Sequence, residues 1–187
     1  MNNFVNFLYI FYMGKIKNAM WAHISENKRA YFRVLLFILL GFVLGCLIDF
    51  TEEDLSMQGQ SGFIAFWGFL KINLRFWILI LLGGLFVHLR VLVYLANFFK
   101  GFSLGFMIKL VLYKYAFKGI LLILISNFLH FILFLPIAIY FSVRAIKSED
   151  KRKWMRMATI FLTFIMLFAA FEGFIVPVFV GGLLNLF

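Results

Sequence analysis

Carboxylates are scarce in this chain, with eight Asp and Glu among 187 residues against eighteen Lys and Arg. Cysteine and proline are scarcer still: Cys46 stands alone, and the prolines are Pro136 and Pro177. A lone cysteine excludes an internal disulfide and any multi-cysteine metal site. Cys46 lies in an apolar stretch and reads as a packing residue rather than a reactive thiol. The strings H-E-x-x-H, G-x-x-x-x-G-K-[ST] and C-x-x-C are absent. No pair of carboxylates falls inside an apolar run, where acid–base chemistry would need one. A non-catalytic protein without cofactor or metal is expected.

What the chain has in abundance is apolar surface: 65% hydrophobic residues, 21% aromatic, and a mean hydropathy of +1.02. A soluble domain of this length has no core large enough to bury so much. The composition reads as an all-α, multi-pass bundle in a membrane, with the many Phe side chains facing lipid. The net charge of +10 does not point to nucleic acid, because the basic residues gather at the ends of apolar runs. That is the pattern of the positive-inside rule.

Taken in order, the segment 1–33 reads as cytoplasmic or interfacial. Its apolar run from Phe4 to Met13 is too short to span. It has no basic leader or cleavage site of a signal peptide, and Lys15 to Arg33 suits a helix lying on the surface. The rest, 34–187, reads as one transmembrane domain with spans near 34–50, 72–88, 91–112, 119–143 and 157–183. An acidic turn (Asp49, Glu52, Glu53, Asp54) follows the first span, and an amphipathic piece within Leu55 to Leu70 is expected in the outer interface. Tyr113 to Lys118 is expected to be a short outer loop. Pro136 should kink the fourth span unless neighbours satisfy the freed carbonyl. With the N-terminus inside, twelve Lys and Arg fall on inner segments and four on outer ones. The expected topology is therefore N-in, C-out. The richest inner loop carries Arg144, Lys147, Lys151, Arg152, Lys153 and Arg156, a candidate docking surface for a cytoplasmic partner.

Inside the apolar runs, a few groups stand out. Gly41 and Gly45 form a G-x-x-x-G, the spacing that lets two membrane helices approach closely. Asn97, Gly101 and Gly105 share one face of the third span and form a second such strip. Both strips suit either intramolecular packing or a homodimer. Lys100 lies beside the second strip, and a lysine there should face protein or water rather than lipid. Glu172 is the one acid deep in an apolar run. At 1.5 Å per residue it stands roughly 22 Å from the inner face, with Lys100 at about 14 Å and Lys109 at about 27 Å. Either lysine reaches it by bending its stem. A structural ion pair is expected ahead of a proton relay, which would need several acids or histidines in series. Asn127 and His130 are three apart and read as a helix-to-helix hydrogen-bonding pair rather than a metal site.

These elements together resemble a known family. Asn73-Leu74-Arg75 opening the second span, Phe99-Lys100-Gly101-Phe102 with Gly105-Phe106 in the third, Pro136 in the fourth and Glu172-Gly173-Phe174-Ile175-Val176-Pro177 in the fifth are similar to the stage II sporulation protein M family, also known as the DUF95 group. The resemblance runs from about Phe32 to the end of the chain. It implies a multi-pass subunit of the bacterial cytoplasmic membrane with no catalytic centre of its own, acting through partners. In the sporulation branch these are peptidoglycan hydrolases, which the subunit anchors during engulfment. In a branch associated with circular bacteriocins they are an ATP-binding subunit and a hydrophobic cationic peptide, with a role in maturation, export or immunity. A plain ion or proton carrier is a third expectation.

Overall fold

The computed structural model describes residues 23–48, 63–148, 150–175 and 178. The apolar N-terminal run, the acidic turn from Asp49 to Asp54 and Pro177 lie outside them. The described elements are helical: α1 (Lys28–Leu47), α2 (Phe63–Leu85), a 3-10 turn (Val87–Leu89), α3 (Val91–Leu129), a π turn (His130–Phe134), α4 (Leu135–Ile146), α5 (Lys151–Ala170) and a second π turn (Phe171–Ile175). Four stretches are long and apolar enough to cross a membrane: Lys28–Leu47, Phe66–Leu85, Val87–Ala116 and Lys151–Phe174. Leu135–Ile146 is apolar but shorter. The all-helical, membrane-embedded class follows from these.

Several boundaries differ from those expected from sequence. α1 begins at Lys28, because Ala30 and Val34 already lie on its buried face, ahead of Ile38, Gly41 and Gly45. α2 begins at Phe63 rather than near residue 72. The polar run Lys71-Ile72-Asn73-Leu74-Arg75 does not start the helix but sits in its middle. Asn73 satisfies itself there by donating to the Phe69 carbonyl at 3.0 Å and turning inward. Residues 63–70 are therefore the first two turns of α2, packed against the second π turn, and not a separate interfacial helix.

The loop expected at Tyr113 to Lys118 shrinks to one residue. Ala116 takes φ 47° and ψ −128°, outside any helical basin. The chain reverses there, so that the backbone of Gly119 lies against the carbonyl of Val111. A positive φ at alanine is strained, since its Cβ crowds the backbone. Pro136 falls in the first turn of α4, where a missing N–H costs little. The π turn directly before it is where the hydrogen-bond pattern changes.

Two contacts set the arrangement. α1 lies along α3 with its glycine strip meeting the other strip. A Cβ at Gly41 or Gly45 would run into the carbonyls of Phe98 or Phe102, and one at Gly101 or Gly105 into those of Ile38 or Phe42. Both strips are thus used within the chain, backbone on backbone. α5 packs along α2 with Trp154, Ala158, Phe161, Ile165 and Phe168 at alternating four- and three-residue steps. That spacing keeps one narrow seam facing a neighbour. The seam is pinned from both sides: Trp77 donates its indole N–H to the Ala158 carbonyl at 2.9 Å, and Trp154 donates to Leu81 at 3.2 Å. α4 touches the other four helices and joins the halves. Phe141 on α4 stacks on Phe161 at 4.4 Å, while Ile139 and Val143 pack against Val34 and Ile38.

The glycine contact gives a direct test. Gly101→Val should destabilise the bundle by about 1–3 kcal/mol, because the new atoms meet backbone that cannot move aside. Gly68, which has nothing within 4 Å of its would-be Cβ, is the control. Gly68→Ala should be neutral or stabilising by up to about 1 kcal/mol through helix propensity. Thermal unfolding of both variants in mild detergent measures the difference. A Gly101→Val protein as stable as wild type would contradict the close contact.

Candidate functional site

Lys100 stands three turns into α3 and is buried to 8% exposure. Desolvating an ammonium is costly, so its partners matter. Its Nζ donates to the Asn73 side-chain oxygen on α2 at 2.9 Å. It also lies over the ring of Phe134, 4.4 Å from the centroid, with the Phe76 ring at 6.0 Å. A cation over an aromatic face is attracted by the ring quadrupole, more strongly where water is excluded. The carboxylate of Glu172, itself buried to 7%, acts on the same ammonium through space from the second π turn. The neighbouring Gly173 backbone lies against Phe66 on α2, its would-be Cβ 2.6 Å from the Phe66 Cα. That contact fixes where Glu172 enters the bundle.

Lys109 is placed differently. Its Nζ donates to the Ile48 carbonyl at 2.8 Å, just beyond the end of α1. Of the two lysines at bilayer depth, Lys100 is the one held in the core beside Glu172.

A second polar contact lies one turn away. Asn97 donates to Ser142 on α4 at 2.9 Å and to the Val93 carbonyl at 2.7 Å. Ser142 in turn donates its hydroxyl to the Ala138 carbonyl at 2.8 Å. The sequence gives no role to Ser142, and places Asn73 only in the Asn73-Leu74-Arg75 motif at the expected start of the second span. Asn73 sits between two charged residues and looked like a helix boundary, and a single serine near the end of an apolar run carries little signal. Asn127 and His130 follow on the helix after the corner, but their side chains lie outside what is described.

Gly101-Phe102-Ser103-Leu104-Gly105 also spells G-x-S-x-G. The nucleophile elbow of that motif needs a sharp strand-to-helix turn. Here all five residues are inside α3, and both glycines serve the contact with α1. The string therefore has a packing explanation. Among the described residues, no three His, Cys, Asp or Glu side chains come together as a metal site would require.

The basic residues gather at one end of the bundle. Arg90, in the turn between α2 and α3, donates to the Ser148 carbonyl at 3.2 Å. Lys151 lies over the Phe86 ring at 5.7 Å, and Asp150 caps α5 by accepting from the Arg152 and Lys153 amides. The Lys153 and Arg152 amides hold the Asp150 carboxyl below the usual range, as hydrogen bonds to the charged form do. His23 packs on Tyr140 and shares a hydrogen bond with Tyr31, while Arg144 donates to Tyr140. Burial, and then the Arg144 guanidinium, push the His23 imidazole below its ordinary value. The segment before α1, the α2–α3 turn and the α4–α5 loop thus meet at the same end. Lys147, Lys151, Arg152, Lys153 and Arg156 are exposed there, with Arg144 half-buried.

Compared with family models, curated proteins and solved structures, the chain matches none of them.

The buried pair predicts a specific non-additivity. Lys100→Met alone should destabilise by about 3 kcal/mol, because Glu172 then stays buried without the attraction of that ammonium. Glu172→Gln should be costly for the mirror reason. The double variant should cost less than the sum of the two, by about 1 kcal/mol or more. The same cycle run with Lys109→Met and Glu172→Gln should be additive. Additivity in the Lys100 cycle, measured by unfolding in detergent, would remove the pair from the account.

Proposed function

We propose that this chain is a non-catalytic, multi-pass membrane subunit that serves as a scaffold for partner proteins, as members of the stage II sporulation protein M family do for peptidoglycan hydrolases. The observation that carries the reading is the inward engagement of its polar groups. Lys100, Asn73, Asn97 and Ser142 bond to one another or to helix backbone, and Glu172 is buried beside Lys100. Such groups fix how helices pack, which is what an anchor requires, and they present no reacting constellation. The motif resemblance set out above supplies the class of partner. In this reading the chain crosses the membrane five times, N-in and C-out. The fourth crossing, added to the four long apolar stretches, is the run from Gly119 through the π turn and α4, and the basic end faces the cytoplasm.

A second reading has one observation in its favour. The exposed cations from Lys147 to Arg156, together with Lys28, Arg29 and Arg33, form a broad basic face suited to an acidic cytoplasmic subunit. A membrane partner for an ATP-binding protein, working in export, maturation or immunity for a circular bacteriocin, would use such a face. Ion or proton transport ranks third, because Glu172 is the one carboxylate inside the described membrane spans.

Gentle purification from the native host, with mass spectrometry of what remains bound, separates these readings. Peptidoglycan-cleaving enzymes should co-purify, and should be lost together with protein abundance in Glu172→Gln. Recovery of an ATP-binding subunit or a hydrophobic peptide in their place would overturn the scaffold reading in favour of the second.

A further inference from the structure

Beside Lys100, the surface between α2 and α3 opens into a cavity of about 280 Å³. Its lining is mostly apolar (Ile72, Phe76, Leu79, Ala96, Phe99), with three polar groups: Lys100, Arg75 and Ser103. Arg75 and Ser103 are exposed at the mouth, flanked by Ile72 and Phe99 at 52% and 54% exposure. Arg75 lies near the centre of the candidate span Phe66–Leu85, roughly 14 Å from either end. Its guanidinium has no hydrogen-bond or ion-pair partner among the described residues. A permanently charged group at that depth needs an anion, and its five donors in a planar fork suit a carboxylate or phosphate. Charge counting points the same way. Glu172 acts on Lys100 through space in the core, and Arg75 adds a further positive charge at the mouth. The exposed apolar rim makes this a site entered from the bilayer rather than from water. The volume is at the lower end of ligand sites, enough for a headgroup and the start of a chain.

We propose that the α2–α3 cavity binds an acidic lipid, its carboxylate or phosphate held by Arg75 and Ser103 at the mouth above Lys100, and its acyl chain along Ile72, Leu79 and Phe99. The site does not depend on the scaffold reading. It also disfavours this cavity as a path for a cationic peptide, which Arg75 would repel.

Native mass spectrometry of the full chain, released from detergent with added lipid, tests the site. The probes are oleate and phosphatidylglycerol, with oleyl alcohol and phosphatidylcholine as their neutral counterparts. Both acidic lipids, or one of them, should be retained about tenfold more tightly than the neutral counterpart, as expected for one charge-assisted bidentate contact. Preference for oleate alone would assign a carboxylate site, and preference for phosphatidylglycerol a phosphate site. Arg75→Gln should abolish the preference, whereas Arg152→Gln at the basic end should leave it intact. Ser103→Trp, which blocks the mouth without changing charge, should weaken retention of the acidic lipid. Equal retention of acidic and neutral lipids would overturn the proposal. So would a preference that survives both Arg75→Gln and Ser103→Trp, or one that disappears with Arg152→Gln.

Discussion

An ammonium group in the middle of a membrane bundle must be surrounded, and no single helix can surround its own lysine. Lys100 draws one partner from each of three other places in the chain: Asn73 from α2, Phe134 from the turn before α4, and Glu172 from the turn after α5. Each supplies a different kind of stabilisation: a neutral hydrogen bond, an aromatic face and an opposite charge. Removing any one leaves the ammonium under-satisfied where water cannot replace the loss. The relative placement of α2, α3, α4 and the end of α5 follows from that demand. The aromatic packing of Phe76, Phe134, Phe141, Phe161 and Phe168 fills the space around it.

α1 is held by other means. In lipid, helices gain little from burying apolar side chains against each other, because the tails are equally apolar. What remains is close contact, and the interlocked glycines of α1 and α3 provide it. Cys46 contributes a weak bond to the Gly105 carbonyl at 3.5 Å. The bundle therefore combines a half joined by polar and aromatic contacts with a half joined by backbone proximity. α3 belongs to both, with Lys100 and Gly101 as adjacent residues facing different neighbours.

How much of this was legible in the sequence depended on how each residue stood against its surroundings. Lys100 and Glu172 were conspicuous because charge inside an apolar run is rare and costly. Both glycine strips were visible from spacing alone, although whether they met each other or a second copy was not. The partner of Glu172 was hidden, since rise per residue gives depth but not which way a helix faces. Asn73 was hidden by its charged neighbours Lys71 and Arg75, which made mid-helix look like an end. The turn within Tyr113 to Lys118 was visible, but not its tightness or its residue, because alanine gives no turn signal and the chain turns at Ala116 with a strained φ instead of with glycine or proline. Arg75 read as a flanking cation until the helix on both sides of it was in place.

The most direct test concerns the lysine itself. Nitrogen-15 spectroscopy of lysine-labelled protein in lipid should show one ammonium with slow proton exchange, shifted upfield by the Phe134 ring and correlated with the Asn73 side chain. That resonance should be absent in Lys100→Met. If Lys100 instead gives an ordinary, rapidly exchanging signal like those of exposed Lys147 and Lys151, the ammonium is not enclosed and the central contact of the bundle is wrong.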